Sequence, residues 1–142
     1  MKNAYTLIEL LIVIGILAVL TGLSSLSLVS YSKSADIGTS KTIVMQTLLQ
    51  ARGNSMADVD DKTWGVHLET NRVILFSGAS YNPNDGTNQV KPISGGTSIN
   101  TSLSDVIFAK RTGATANTGD ITITGQSSNA VTIMINEQGN IY

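Results

Sequence analysis

The sequence contains no cysteine and a single histidine, His67. The absence of cysteine excludes disulfide bonds, iron–sulfur clusters and thiol catalysis. A structural zinc site uses four ligands drawn mainly from Cys and His, so this composition also argues against zinc. The composition therefore predicts a domain that is held together by packing, with no cofactor and no metal.

Charged residues are also scarce. They make up 13% of the 142 residues, with nine Lys and Arg against ten Asp and Glu. Residues 112–142 carry no Lys or Arg, and Lys110 and Arg111 form the one adjacent basic pair. Because phosphate contacts need clustered Lys and Arg, nucleic acid is a disfavoured partner. The Lys110–Arg111 pair is the one candidate for a weak DNA contact.

Proline is absent from residues 5–57, since both prolines, Pro83 and Pro92, lie further along the chain. Residues 7–23 form an apolar run that is long enough to span a bilayer as a helix. Residues 32–57 remain helical in pattern but become amphipathic, because apolar residues recur at steps of three, four or seven: Ile37, Val44, Leu48 and Ala51. We therefore predict one long helix, with a transmembrane part at 5–31 and an amphipathic part at 32–57.

Beyond residue 57 the hydrophobic period shortens to two, which indicates half-buried strands. The segments TWGVHLE and RVILF, separated by Thr70 and Asn71, predict a hairpin, and DVIFA, DITIT and AVTIMIN predict three more strands. Residues 77–104 are rich in Gly, Asn, Ser and Thr and predict a long loop with one weak strand near 90–93. The predicted fold class is α+β: a long N-terminal helix packed on an antiparallel β-sheet head at 58–142.

Glu9 interrupts the apolar run, and residues 3–32 contain no Lys or Arg that could pair with it. A carboxylate within a membrane-spanning segment costs about 3 kcal/mol. The residues alone leave two interpretations open. Glu9 lies hydrated at the headgroup level, or it pairs with a charge from elsewhere.

The N-terminal sequence MKNA-YTLIE resembles the signal of type IV pilins and pseudopilins. In that family the usual motif is Gly followed by Phe-Thr-Leu-Ile-Glu; here Ala4 stands for the glycine and Tyr5 for the phenylalanine. The resemblance implies that a prepilin peptidase removes residues 1–4, cutting between Ala4 and Tyr5, and methylates the Tyr5 amine. It also implies that Glu9 pairs with the terminal amine of a neighbouring subunit during assembly.

The second half of the chain is similar in pattern to the GspH/FimT group of minor pseudopilins. The features that carry this similarity are a Trp-Gly-Val opening into a strand, the VILF strand, a loop, and a closing hairpin with Asn-x-x-Gly-x-Ile. The resemblance implies a structural subunit and not an enzyme. Its partners would be other pilin subunits, the prepilin peptidase, an inner-membrane assembly platform and lipid. It would be a single-pass inner-membrane protein with its head outside the cytoplasm, and later part of a filament in the periplasm or at the cell surface.

Two other functions are compatible with the residues. One is a bitopic anchored enzyme or receptor that keeps its N-terminus, and the other is a minor pilin that takes up DNA through its head. Within the head, we expect His67 on a sheet face and not in a catalytic site. Asp58, Asp60 and Asp61 have the oxygens that calcium prefers, but a solvated helix end is the simpler interpretation. The segment from 81 to 89 is explained by turn chemistry.

Overall fold

The computed structural model describes residues 6–126 and 129–142, and the side chains of these residues except 22–34. The chain divides into two compact units, Met1–Ser32 and Lys33–Tyr142. Ala4 and Tyr5, the residues of the predicted processing site, lie outside the described residues.

Helix α1 spans Leu7–Met56. It ends in the segment MADVDD, residues 56–61, because Asp58 adopts a left-handed conformation (φ 54°) that the helix cannot accommodate. A short 3-10 helix, Val59–Asp61, follows and leads the chain into the head.

Seven strands form the head. They are β1 (Trp64–Glu69), β2 (Arg72–Ser77), β3 (Gln89–Pro92), β4 (Thr97–Thr101), β5 (Asp105–Phe108), β6 (Gly119–Gly125) and β7 (Ala130–Ile135). The predicted β1–β2 hairpin is confirmed, with Glu69 opposite Arg72 across the Thr70–Asn71 turn. The weak strand predicted near residues 90–93 is β3, which pairs with β2.

The strands form two antiparallel sheets. One has the order β3-β2-β1-β5 and the other the order β4-β6-β7. The α+β prediction is confirmed. The long loop predicted for residues 77–104 is wrong in part, because β4 lies within it. This strand reads Thr-Ser-Ile-Asn-Thr and buries one apolar residue, Ile99, so as an edge strand it has almost no hydrophobic alternation to reveal it.

The core lies between α1 and the inner faces of both sheets. On the helix, Val44, Leu48 and Ala51 are completely buried, and Ile37 is half-buried. Val44, Leu48 and Ala51 share one hydrophobic cluster with inward-facing strand residues: Val66, Leu68, Val73, Leu75, Ile99, Val106, Phe108, Ile121, Ile123, Ile133 and Ile135. The predicted amphipathic stripe and the alternating strand residues therefore meet in a single core.

Three buried polar residues on the same side of α1 are satisfied by hydrogen bonds. The Ser40 and Thr97 hydroxyls lie 2.7 Å apart, and Ser55 Oγ accepts a 2.8 Å hydrogen bond from the Trp64 backbone N–H. Thr47 donates back to the carbonyl of Ile43 within the helix. Because a buried polar group without a partner destabilises a fold, the Ser40 and Ser55 bonds help to fix how the helix lies on the head.

Leu48→Ala should destabilise the head by about 3 kcal/mol, because it opens a cavity in the core that the helix shares with both sheets. Leu49→Ala is the matched control, since Leu49 is the next residue and is 48% exposed. It should change the stability by about 0.5 kcal/mol or less. Denaturant unfolding of the full chain in detergent measures both, and equal effects would contradict the packing described here.

Candidate functional site

Thr6 and Glu9 form a capping box at the start of α1. The Glu9 carboxylate accepts hydrogen bonds from the Thr6 backbone N–H at 3.2 Å and from the Thr6 hydroxyl at 3.3 Å. The Glu9 backbone N–H donates in turn to Thr6 Oγ1 at 3.3 Å. This reciprocal arrangement satisfies N–H groups that the first helical turn leaves without partners. It also places a negative charge at the positive end of the helix dipole.

The role of Thr6 was not predicted from the sequence, although a signal for it exists. The spacing Thr-x-x-Glu ahead of an apolar run is the signature of a capping box. The predicted pairing of Glu9 with a neighbouring subunit's amine stays a prediction, since it depends on Tyr5 and on a second chain.

The helix that follows this box presents apolar side chains all round. Each of the following is more than half exposed: Leu7, Ile8, Leu10, Leu11, Ile12, Val13, Ile14, Ile16, Leu17, Val19 and Leu20. A Cβ added to Gly15 would meet no atom within 4 Å, so this side of the helix is open to an approaching surface.

Over the residues that are described, no helix combines the length and the apolar character that crossing a membrane requires.

Lys110 and Arg111, the candidate DNA contact, lie in an ionic cluster at the end of α1. Lys110 Nζ is 2.9 Å from Asp58 Oδ1 and also contacts the Asp61 carboxylate. Arg111 lies 3.1 Å from Asp58 Oδ2. Two cations thus face two carboxylates, and the cluster has no net charge. The DNA contact stays untested, and this charge pairing argues against it.

Hydrogen bonds set the protonation of this cluster. The hydrogen bond from Lys110 is the main cause that lowers the pKa of Asp58, with Arg111 adding to the effect against some desolvation. The pKa of Lys110 is raised, first by its hydrogen bond to Asp61 and then by that to Asp58. Each group therefore favours the charged form of the other near neutral pH.

The oxygens considered for calcium are used otherwise. Asp58 and Asp61 are bound by Lys110, and no group of three or more His, Cys, Asp or Glu within the described residues is arranged to hold a metal ion. In the segment from 81 to 89, Asn82 Oδ1 accepts from the Asn84 N–H and Asp85 Oδ1 accepts from the Thr87 N–H. These are side-chain turns, which confirms the turn chemistry predicted there.

His67 lies on the outer face of the four-stranded sheet, as expected from the alternation along β1. Its Nδ1 is 2.6 Å from Asp105 Oδ1, and its ring stacks on Tyr81 at a centroid distance of 4.0 Å. No serine hydroxyl is hydrogen-bonded to it among the residues with described side chains, so a Ser-His-Asp arrangement is not formed there. Nothing in the sequence signals the Tyr81 contact, because it joins His67 on β1 to a residue in the loop between β2 and β3.

A second surface feature is a groove of about 560 Å³ beside the β1–β2 turn. Leu68, Ile99 and Leu103 contribute apolar side chains, and the remaining lining residues are Glu69, Thr70, Asn71, Thr101, Ser102 and Ser104. Its one charged side chain, Glu69, is bound by Arg72 at 2.6 Å. The groove is therefore nearly neutral.

The N-terminal segment of the chain matches a known family model. Residues 1–25 match the prokaryotic N-terminal methylation motif. The match supports a type IV pilin-like chain that is processed as a prepilin and assembles with other pilins. Such chains are membrane-anchored before they enter a pilus. No curated protein and no solved structure matches the chain.

Asp58→Asn should lower the stability of the head near neutral pH, and its difference from the wild type should shrink below about pH 4. The folded pKa of Asp58 lies below the unfolded value, so its ion pairs stabilise the head above the unfolded pKa and are lost as the pH falls through the folded one. Asparagine tolerates the left-handed backbone that Asp58 adopts. Urea unfolding at about pH 7 and about pH 3 measures the difference.

Asp60→Asn is the matched control, because Asp60 lies in the same turn with the same backbone conformation (φ 56°) and is exposed. Its effect should be small and nearly independent of pH. A wild-type advantage over Asp58→Asn that is equally large at both pH values would contradict the ionic assignment.

Proposed function

We propose that the chain is a structural subunit of a type IV filament system, either a minor pilin or a pseudopilin of the GspH/FimT type. A prepilin peptidase cuts between Ala4 and Tyr5 and methylates the new amine. The mature α1 then enters the filament core, and the β-rich head faces outward. A pilus, a secretion piston and a DNA-uptake fibre all use such a subunit, and fold alone does not choose among them.

The observation that carries the proposal is the methylation-motif match at residues 1–25, which contains the Thr6–Glu9 box. The matched segment includes Glu9, the one charged residue of the apolar run. The exposed apolar surface over residues 7–20 adds support, since an isolated chain leaves it unburied.

We propose two successive partners for the Glu9 carboxylate. In the single chain it accepts hydrogen bonds from Thr6 at its own helix N-terminus. In the filament it pairs with the methylated amine of the neighbouring Tyr5. Opposite charges about 4 Å apart attract by roughly 4 kcal/mol at an effective dielectric of 20. Desolvation offsets much of this, so the pair sets the register between subunits more than it adds stability.

The location follows from the same proposal. The chain is held in the inner membrane as a single-pass protein with its head outside the cytoplasm, where it meets lipid, the peptidase and an assembly platform. A bitopic anchored enzyme or receptor is the rival function. It would keep Met1, remain monomeric in detergent and be independent of a prepilin peptidase.

Expression together with a prepilin peptidase should give a chain that begins at Tyr5 and carries one added methyl group. Intact-mass and N-terminal peptide mass spectrometry measure this directly. Expression without the peptidase is the control and should leave Met1 in place. An uncut chain beside an active peptidase that processes a control pilin would refute the prepilin assignment.

Glu9→Ala should be processed normally but enter filaments less well, by about tenfold if the pair contributes roughly 1.4 kcal/mol net. Quantitative immunoblotting of sheared filaments against the membrane pool measures the incorporated fraction. Glu9→Gln is the informative companion, because glutamine keeps the capping box but carries no charge.

If the charge is what matters, Glu9→Gln should be as deficient as Glu9→Ala, and Thr6→Val should be incorporated nearly normally. Normal incorporation of Glu9→Gln would show that the pairing hypothesis is wrong. A defect confined to Glu9→Ala and Thr6→Val would assign the role to helix capping.

A further inference from the structure

The outer face of the four-stranded sheet carries a second apolar cluster that α1 does not cover. Ile74 and Phe76 are each 1% exposed, yet they alternate along β2 with Val73 and Leu75, which belong to the main core. Alternate strand residues point to opposite faces of a sheet. Ile74 and Phe76 are therefore buried on the outer face, and Tyr81, from the segment that joins β2 to β3, lies against Phe76. We refer to residues 78–88 as the strap.

Tyr81 joins the strap to side chains on the outer face of the sheet. Tyr81 stacks on His67 with an angle of 10° between the rings, and its centroid lies 5.6 Å from that of Phe76. The hydrogen bonds described for residues 79–88 join strap residues to one another, as in Asp85 to Asn82 and Asn88 to Asp85. At the base of the strap, the Gly78 N–H donates to the Thr63 carbonyl.

Charged groups approach His67 from the strands around it. Asp105 on β5 lies 2.6 Å from Nδ1, and Glu69 on β1 lies 3.9 Å from Nε2. Arg72 on β2 is directed to Glu69, at 2.6 Å, and the strap contributes Tyr81. The imidazole thus lies between two carboxylates, with an aromatic ring on its face.

We propose that the strap is a proton-sensitive lid, in which protonation of His67 tightens Tyr81 over Phe76 and deprotonation loosens it. Imidazole is the side chain whose charge ordinarily changes between about pH 5 and pH 8. An imidazolium is attracted to the negative face of the Tyr81 ring, whereas a neutral imidazole lacks this attraction. Asp105 and Glu69 compensate the added positive charge, so it is tolerated at a half-buried position.

Closure and protonation must favour each other by the same factor, since they are linked equilibria. One exposed cation–π contact corresponds to a factor of about two to five in the ratio of closed to open strap. An open strap leaves Phe76 accessible. The strap therefore controls how much apolar surface the outer face of the four-stranded sheet exposes as the pH changes.

Hydrogen exchange of the full chain in detergent tests the proposal. The reporters are the Asp85 and Asn88 amides, whose hydrogen bonds lie within the strap. After correction for the intrinsic effect of pH on exchange, their protection should be about two to five times greater near pH 5 than near pH 8. The Thr115 amide, which donates to the Glu137 carbonyl, is the internal reference for pH effects on the whole head.

Two variants separate charge from shape. His67→Phe keeps an aromatic ring for Tyr81 to stack on, and His67→Gln keeps a hydrogen bond to Asp105, but neither acquires a charge. Both should lose the dependence of strap protection on pH, and Tyr81→Leu should lose it while still covering Phe76. The proposal is overturned if the wild type shows equal protection at both pH values, or if His67→Phe or His67→Gln keeps the wild-type difference.

Discussion

One stripe of α1 is the surface against which both sheets of the head bury their inner faces. Val44, Leu48 and Ala51 share one buried cluster with residues of β1, β2 and β5 from one sheet and of β4, β6 and β7 from the other. The two sheets follow different strand orders, so what unites them is this shared contact with the helix. Burial of apolar surface in this cluster therefore places every strand of the head except β3, which contributes no residue to it and pairs with β2.

Charge is used sparingly and is mostly compensated where it occurs in the head. Lys110 and Arg111 are balanced by Asp58 and Asp61, and Arg72 is balanced by Glu69. At the other end of α1, Glu9 is stabilised by the N–H and hydroxyl of Thr6, which are dipoles and not a full opposite charge. Hydrogen bonds from these neutral groups leave the carboxylate its negative charge, and this charge is what the proposed assembly role needs.

The sequence predicted those elements whose signal is local. Continuous helical periodicity predicted α1, and strict alternation in DITIT and VTIMI predicted β6 and β7. It did not predict β4, which has a single inward apolar residue, or the division into two sheets, since β1 pairs with β5 and β4 with β6 across long stretches of chain. The candidate functional residues show the same contrast between local and tertiary signals. Thr-x-x-Glu is a local signal, but the pairing of Lys110 with Asp58 depends on tertiary contacts that no spacing reveals.

The polar contacts between α1 and the head are spread along the helix and not gathered at one end. Ser40 contacts Thr97, Gln50 accepts from Lys91, Arg52 donates to the Gln138 carbonyl, and Ser55 accepts from Trp64. These positions cover about 22 Å of helix axis. A pulling force along that axis loads all of these bonds in parallel, together with the buried stripe, so the head resists shear as a unit. An attachment at one end would instead have peeled open one bond at a time.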